Sequence, residues 1–133
     1  MHAGLERLRA AATDGRLDEL CDDLGVGVLT VFGSAVHGPG SARDLDVAVG
    51  YRPGVVPDVL RTVNALSTLT GIDTVDVMVL DDASPTARRN ATVGVLPLYE
   101  ADPGLFARTQ IAAMLEFMDT AWLRRLDLEL LSS

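Results

Sequence analysis

Three short runs rich in β-branched residues set the strongest limit on what this chain can fold into. They are Val26 to Phe32, Asp44 to Val49 and Thr74 to Leu80, and stretches of helical periodicity lie between and around them. Leu5 to Ala12 and Leu17 to Leu24 carry apolar residues at helical spacing, and Gly25 stops the second. Pro57 to Leu69 suits a helix with Val59, Leu60, Val63, Leu66 and Leu69 on one side. Gly33 to Arg43, rich in Gly, Ser and Pro, reads as a turn or loop. After Thr74 to Leu80, Asp81-Asp-Ala-Ser-Pro breaks the strand, and a short helix through Ala87 and Arg88 follows. Gly94 to Glu100 reads as a fourth short strand, which Pro97 confines to a sheet edge. From Leu105 to Leu131 the pattern is helical, with Ile111, Leu115, Met118, Trp122 and Leu126 forming one apolar stripe. Strands that alternate with helices in this way predict an α/β or α+β layout, a small sheet covered by helices.

Residues 1–133 are expected to form a single domain, because 133 residues suffice for a core without disulfides and no linker or repeat interrupts them. The lone Cys21 has no partner within the chain and reads as a buried small hydrophobe. No apolar run approaches the ~20 residues of a membrane span. Charged residues among the first ten do not suit a secretory signal, so a cytoplasmic location is expected. A formal net charge of −8 argues against nucleic acid as a direct partner. All 11 basic residues are arginine, so any mechanism that needs a lysine, a P-loop included, is excluded.

The chemistry is concentrated where the first strand meets the second. Strand one ends in Gly33-Ser34, a loop follows, and the next strand opens with Asp44-Leu-Asp46. Strand side chains alternate, so Asp44 and Asp46 are expected on one face with Leu45 on the other, where two carboxylates repel unless a cation separates them. A hard divalent cation with oxygen ligands fits that need. Asp76 is the only charge within the third apolar run, and burial there is costly without such a cation. Were the two strands neighbours, three carboxylates would meet on one patch, as in a two-metal phosphoryl-transfer site. Gly33 would let backbone amides approach a phosphate closely, with the Ser34 hydroxyl as a further donor. Each piece alone has an ordinary explanation: Asp-x-Asp arises from alternation on a half-solvated strand, and Gly-Ser is common turn chemistry. Their joint order is the informative signal.

This arrangement of Gly-Ser, loop, Asp-x-Asp and later strand aspartate resembles the nucleotidyltransferase superfamily of DNA polymerase beta. The short chain looks like the minimal nucleotidyltransferases within it, including MntA-type antitoxins encoded beside HEPN-domain toxins. Gly94 to Glu100 is similar to that family's Gly-x-x-Leu-Tyr-Glu segment. The resemblance implies an α+β fold with a small mixed sheet of about four strands. It implies that Gly33 and Ser34 hold phosphate, and that Asp44, Asp46 and Asp76 bind two Mg²⁺ ions, with Asp76 also helping to activate the acceptor. The implied reaction is transfer of AMP from ATP to a hydroxyl, a tyrosine of a HEPN toxin partner. Two alternatives stay open: a small-molecule nucleotidyltransferase working as a homodimer, and a non-catalytic antitoxin that acts by steric binding.

Overall fold

The computed structural model describes residues 2–37 and 44–132. Two short helices, α1 (Ala3–Asp14) and α2 (Arg16–Leu24), precede β1 (Val26–Phe32). Gly25 ends α2 at φ +72°, and its amide donates to the Asp22 carbonyl at 3.3 Å. This left-handed conformation is one that glycine adopts without a Cβ penalty. A single turn of helix, α3 (Ser34–His37), begins the segment expected to be loop throughout. The remainder of that segment, residues 38–43, lies outside the described residues.

Strand β2 (Leu45–Tyr51) runs antiparallel to β1. Helix α4 (Val59–Thr70) is capped by the Asp58 carboxylate, which accepts from the Arg61 amide at 3.1 Å. It returns the chain to β3 (Val75–Val79), which pairs parallel to β2. A 3-10 turn over Leu80–Asp82 leads to α5 (Pro85–Asn90), with Ser84 as cap and proline at its start. Strand β4 (Leu96–Glu100) pairs antiparallel with β1 and is an outer strand of the order β3-β2-β1-β4, which satisfies the restriction set by Pro97. The result is an α+β fold around a four-stranded mixed sheet.

One sheet face carries the main core. Val31, Val47 and Val49 meet Leu8, Leu17, Cys21 and Leu66 from α1, α2 and α4, all fully buried. The helix expected over Pro57 to Leu69 buries Leu66 and packs Leu69 against the core as its apolar face suggests, but that face is rotated at its start. Val59 and Leu60 are exposed, while Thr62, Leu66 and Thr70 are buried. The threonines are accommodated because their hydroxyls are paired: Thr62 with Tyr51 Oη at 2.7 Å, and Thr70 donating to the Leu66 carbonyl at 2.7 Å. The second sheet face is more thinly covered, by Ala48, Leu80 and Ala91 with Phe32 and Met78 against them.

The expected C-terminal helix is two helices, α6 (Leu105–Asp119) and α7 (Ala121–Ser132), divided at Thr120. The Thr120 hydroxyl turns back to the Glu116 carbonyl at 2.8 Å. Arg124 bridges the division, donating to Thr120 Oγ1 at 2.8 Å and to the Phe117 carbonyl at 2.5 Å, with its guanidinium 3.6 Å from the Phe117 ring centroid. Among the described residues no helix is long and apolar enough to cross a membrane.

Candidate functional site

Sequence order placed three carboxylates on two strands, and strand pairing decides which of them meet. The parallel register of β2 and β3 sets Asp46 directly beside Asp76. Side chains alternate along a strand, so the pair shares the thinly covered face with Ala48 and Met78. On the other side Asp46 is opposite Phe32, the last residue of β1. The expected convergence of the second and third strands is therefore present for these two aspartates.

Asp44 falls just outside the strand in which the sequence placed it. It lies one residue before β2 and is exposed, so the strand's two-residue period does not fix its side chain. The chain at this point is anchored by the next amide, Leu45, which donates to the Thr74 carbonyl at 3.0 Å.

Asp46 is the electrostatic centre of the group. Partial burial raises its carboxyl above the usual carboxylate range, and the negative charges of Asp76 and then Asp44 raise it further. The ion pairs among the described residues, Arg16–Asp14, Arg52–Asp22 and Arg88–Glu116, do not involve these acids. Their chemistry suits a hard divalent cation: oxygen donors only, with a mutual repulsion that such a cation would relieve. Among the described residues, however, no three acidic, histidine or cysteine side chains are gathered as a ready ligand cluster. The site is a repelling set of carboxylates rather than a closed cage.

Gly33 is fitted to Asp46. It ends β1 at φ +75°, and a Cβ built there would lie 2.5 Å from Asp46 Oδ2. Glycine is thus required twice, by backbone conformation and by space. Ser34 follows at the start of α3 and is exposed, and the Val36 amide donates back to the Gly33 carbonyl at 3.1 Å. Of the pair expected from the sequence to hold phosphate, Gly33 therefore lies directly against Asp46.

The arginines serve elsewhere. Arg52, at the far end of β2, pairs with Asp22 at 2.9 Å and donates to Tyr99 Oη at 3.1 Å. Arg88 and Arg89 are half-buried. Arg88 donates to the carbonyls of Leu80 (2.8 Å), Ala83 (2.9 Å) and Asp81 (3.3 Å) and pairs with Glu116. Arg89 lies 5.2 Å from the Phe117 ring centroid. Sequence reasoning missed this anchor because every partner but the nearest carbonyls comes from another element. Arg43 lies outside the described residues.

No protein-family model matches the chain, and no curated protein matches it in sequence. Solved structures do match. A toxin–antitoxin complex with AMP-PNP superposes with a TM-score of 0.72 at 15% identity, covering 90% of this chain and 98% of the other. An MNT antitoxin in complex with a tri-AMPylated HEPN toxin of Shewanella oneidensis gives 0.68 at 15% identity, over 94% and 99%. The MntA–HepT toxin–antitoxin gives 0.66 at 15% identity, over 90% and 96%. At this identity the likeness establishes a shared fold along nearly the whole of each chain.

Proposed function

We propose that this chain is a nucleotidyltransferase of the minimal, MNT antitoxin type, moving AMP from ATP onto a hydroxyl of a HEPN toxin. The observation that carries the reading is the pairing of Asp46 with Asp76 beside Gly33, two mutually repelling carboxylates next to a backbone turn. The fold shared with antitoxins seen with AMP-PNP and with an AMPylated HEPN toxin supports it.

In this reading Gly33 and Ser34 receive the triphosphate, the glycine by exposing amides and the serine by donating its hydroxyl. Asp44, Asp46 and Asp76 would hold magnesium, with Asp44 turning in from its place before β2. When bound, magnesium supplies positive charge opposite the entering and leaving oxygens. The acceptor oxygen bonds to the α-phosphorus as the bond to the pyrophosphate oxygen breaks. Asp76, the most exposed acid of the strand pair, accepts the hydroxyl proton. Pyrophosphate leaves. A tyrosine of the toxin is the acceptor we favour, since a side chain carried on a protein surface can reach a carboxylate pair that lies on a thinly covered face.

Calorimetric titration of ATP with Mg²⁺, followed by transfer of labelled AMP to the HEPN protein, tests the proposal. Wild type should bind and transfer; Asp44→Asn/Asp46→Asn should lose both while keeping its circular dichroism spectrum. Full transfer by that double variant would overturn the mechanism.

One observation favours a second reading, in which the chain neutralises its toxin by covering it. The carboxylates are not gathered into a ready cluster among the described residues. Under that reading the double variant would still neutralise the toxin.

A further inference from the structure

The five residues of the C-terminal apolar stripe are all on the surface. Ile111, Leu115, Met118, Trp122 and Leu126 are between 44% and 66% exposed. Met114 and Leu123 widen the stripe and are also exposed. On α6 it lies opposite Ala113, the buried residue of that helix, and beyond the division at Thr120 helix α7 exposes Trp122, Leu123 and Leu126. Helix α7 contributes no buried residue among its described side chains. It is twelve residues long, a length at which an isolated helix is marginal in water.

The exposed apolar area of these side chains is on the order of the ~800 Å² that each partner contributes to a standard protein interface. Patches of this size on soluble proteins mark interaction sites. Helix α6 is tied to the carboxylate-bearing side of the sheet. Its Gln110 donates to the Thr92 carbonyl at 2.9 Å, its Glu116 pairs with Arg88, and the neighbouring Ala91 packs with Ala48 on β2. A protein seated on α6 and α7 is therefore on the same side of the sheet as Asp46 and Asp76. A net charge of −8 makes two copies of this chain repel and draws a basic surface towards it.

We infer that the outer face of α6 and α7 is the docking surface for the acceptor protein, which presents an apolar helical face with a basic rim. This rests on the proposed function for the identity of that protein, and it adds the surface by which the acceptor is held. The stripe, rather than the carboxylates, supplies the affinity, so holding the acceptor and modifying it are separable.

The test uses the full chain and a HEPN-domain toxin from the same genome, the acceptor that the proposed function calls for. Binding is measured by calorimetry and the mass of each species by sedimentation. Leu115→Asp/Met118→Asp alters only exposed side chains, so the variant should fold, which circular dichroism checks. It should bind the HEPN protein at least about 30-fold more weakly than wild type. Asp44→Asn/Asp46→Asn should bind as wild type does. Binding without AMP transfer in wild type would remove the catalytic reading and leave the docking surface standing. Undiminished binding by Leu115→Asp/Met118→Asp overturns the inference. So does a wild-type homodimer that this variant dissociates, since the stripe would then be covered by a second copy. A monomeric wild type that does not bind the HEPN protein overturns it as well.

Discussion

The carboxylate of Asp46 occupies the space that a side chain on Gly33 would take, with Oδ2 2.5 Å from the position of its Cβ. The strand end that would receive phosphate and the strand that would hold the cation are thus fitted to each other. Gly33→Ala should destabilise the fold by about 1–2 kcal/mol from the left-handed backbone alone, with the collision added. Gly33→Ala/Asp46→Ala relieves the collision, so the double variant should lose less than the sum of the two single losses. Urea denaturation of the four proteins measures this coupling. Additive losses would mean that the two residues do not press on each other.

Asp46 also makes stability depend on pH in a stated direction. Its carboxyl is raised in the folded state, first by burial and then by Asp76 and Asp44. The folded chain therefore holds this proton more tightly than the unfolded chain, and the contribution of Asp46 to stability falls as pH rises. The penalty is absent below the unfolded value near 3.8 and complete above the raised folded value. Asp46→Asn should accordingly have a higher melting temperature than wild type at pH 7 without metal, and the gap should close towards pH 3.5. Mg²⁺ should raise the melting temperature of wild type and leave that of Asp46→Asn nearly unchanged. Equal responses of the two proteins to Mg²⁺ would separate Asp46 from metal binding.

Arg88 joins the chain after β3 to helix α6 through three carbonyls and Glu116. Arg88→Met keeps the aliphatic stem but leaves partly buried carbonyls without their donor. A loss of about 2–3 kcal/mol is expected. Arg88→Lys should recover little of it, because one ammonium cannot serve the positions of a planar guanidinium. Chemical denaturation decides the matter, and a change within 0.5 kcal/mol would assign the anchor to other contacts, a margin set by ordinary surface substitutions.

Cys21 is fully buried, and burial, reinforced by Asp18, pushes its thiol up to about 12. The thiolate is the reactive form, so the folded protein should resist thiol-modifying reagents at pH 8 and react at once in denaturant. Rapid modification of the native protein would show that α2 opens from the sheet.

Much of the local structure was legible because it depends on neighbours in sequence. Strand β1 occupies the run Val26 to Phe32 as read, Gly25 ends α2, and Pro97 sends β4 to an edge. The candidate residues were legible for a similar reason: charge in an apolar strand is conspicuous, and Asp46 and Asp76 each stand in one. What the sequence did not show was that Asp44 falls just outside β2, whose hydrogen bonding begins at Leu45.

The inward face of α4 was legible only in part. Thr62 and Thr70 are buried where Val59 and Leu60 are not, since paired hydroxyls remove the penalty that hydropathy assigns to threonine. The apolar stripe of the last helices gave the same signal whether it faced a core or solvent, because periodicity reports a face and not what covers it.

The sequence by itself determined the four strands, their order along the chain and the acids available for chemistry, all properties of residues within a few positions of one another. Tertiary structure decided which of those acids meet. The parallel register of β2 and β3 sets Asp46 beside Asp76 across 29 intervening residues, from Val47 to Val75, and backbone pairing between distant strands leaves no mark in either strand's own sequence.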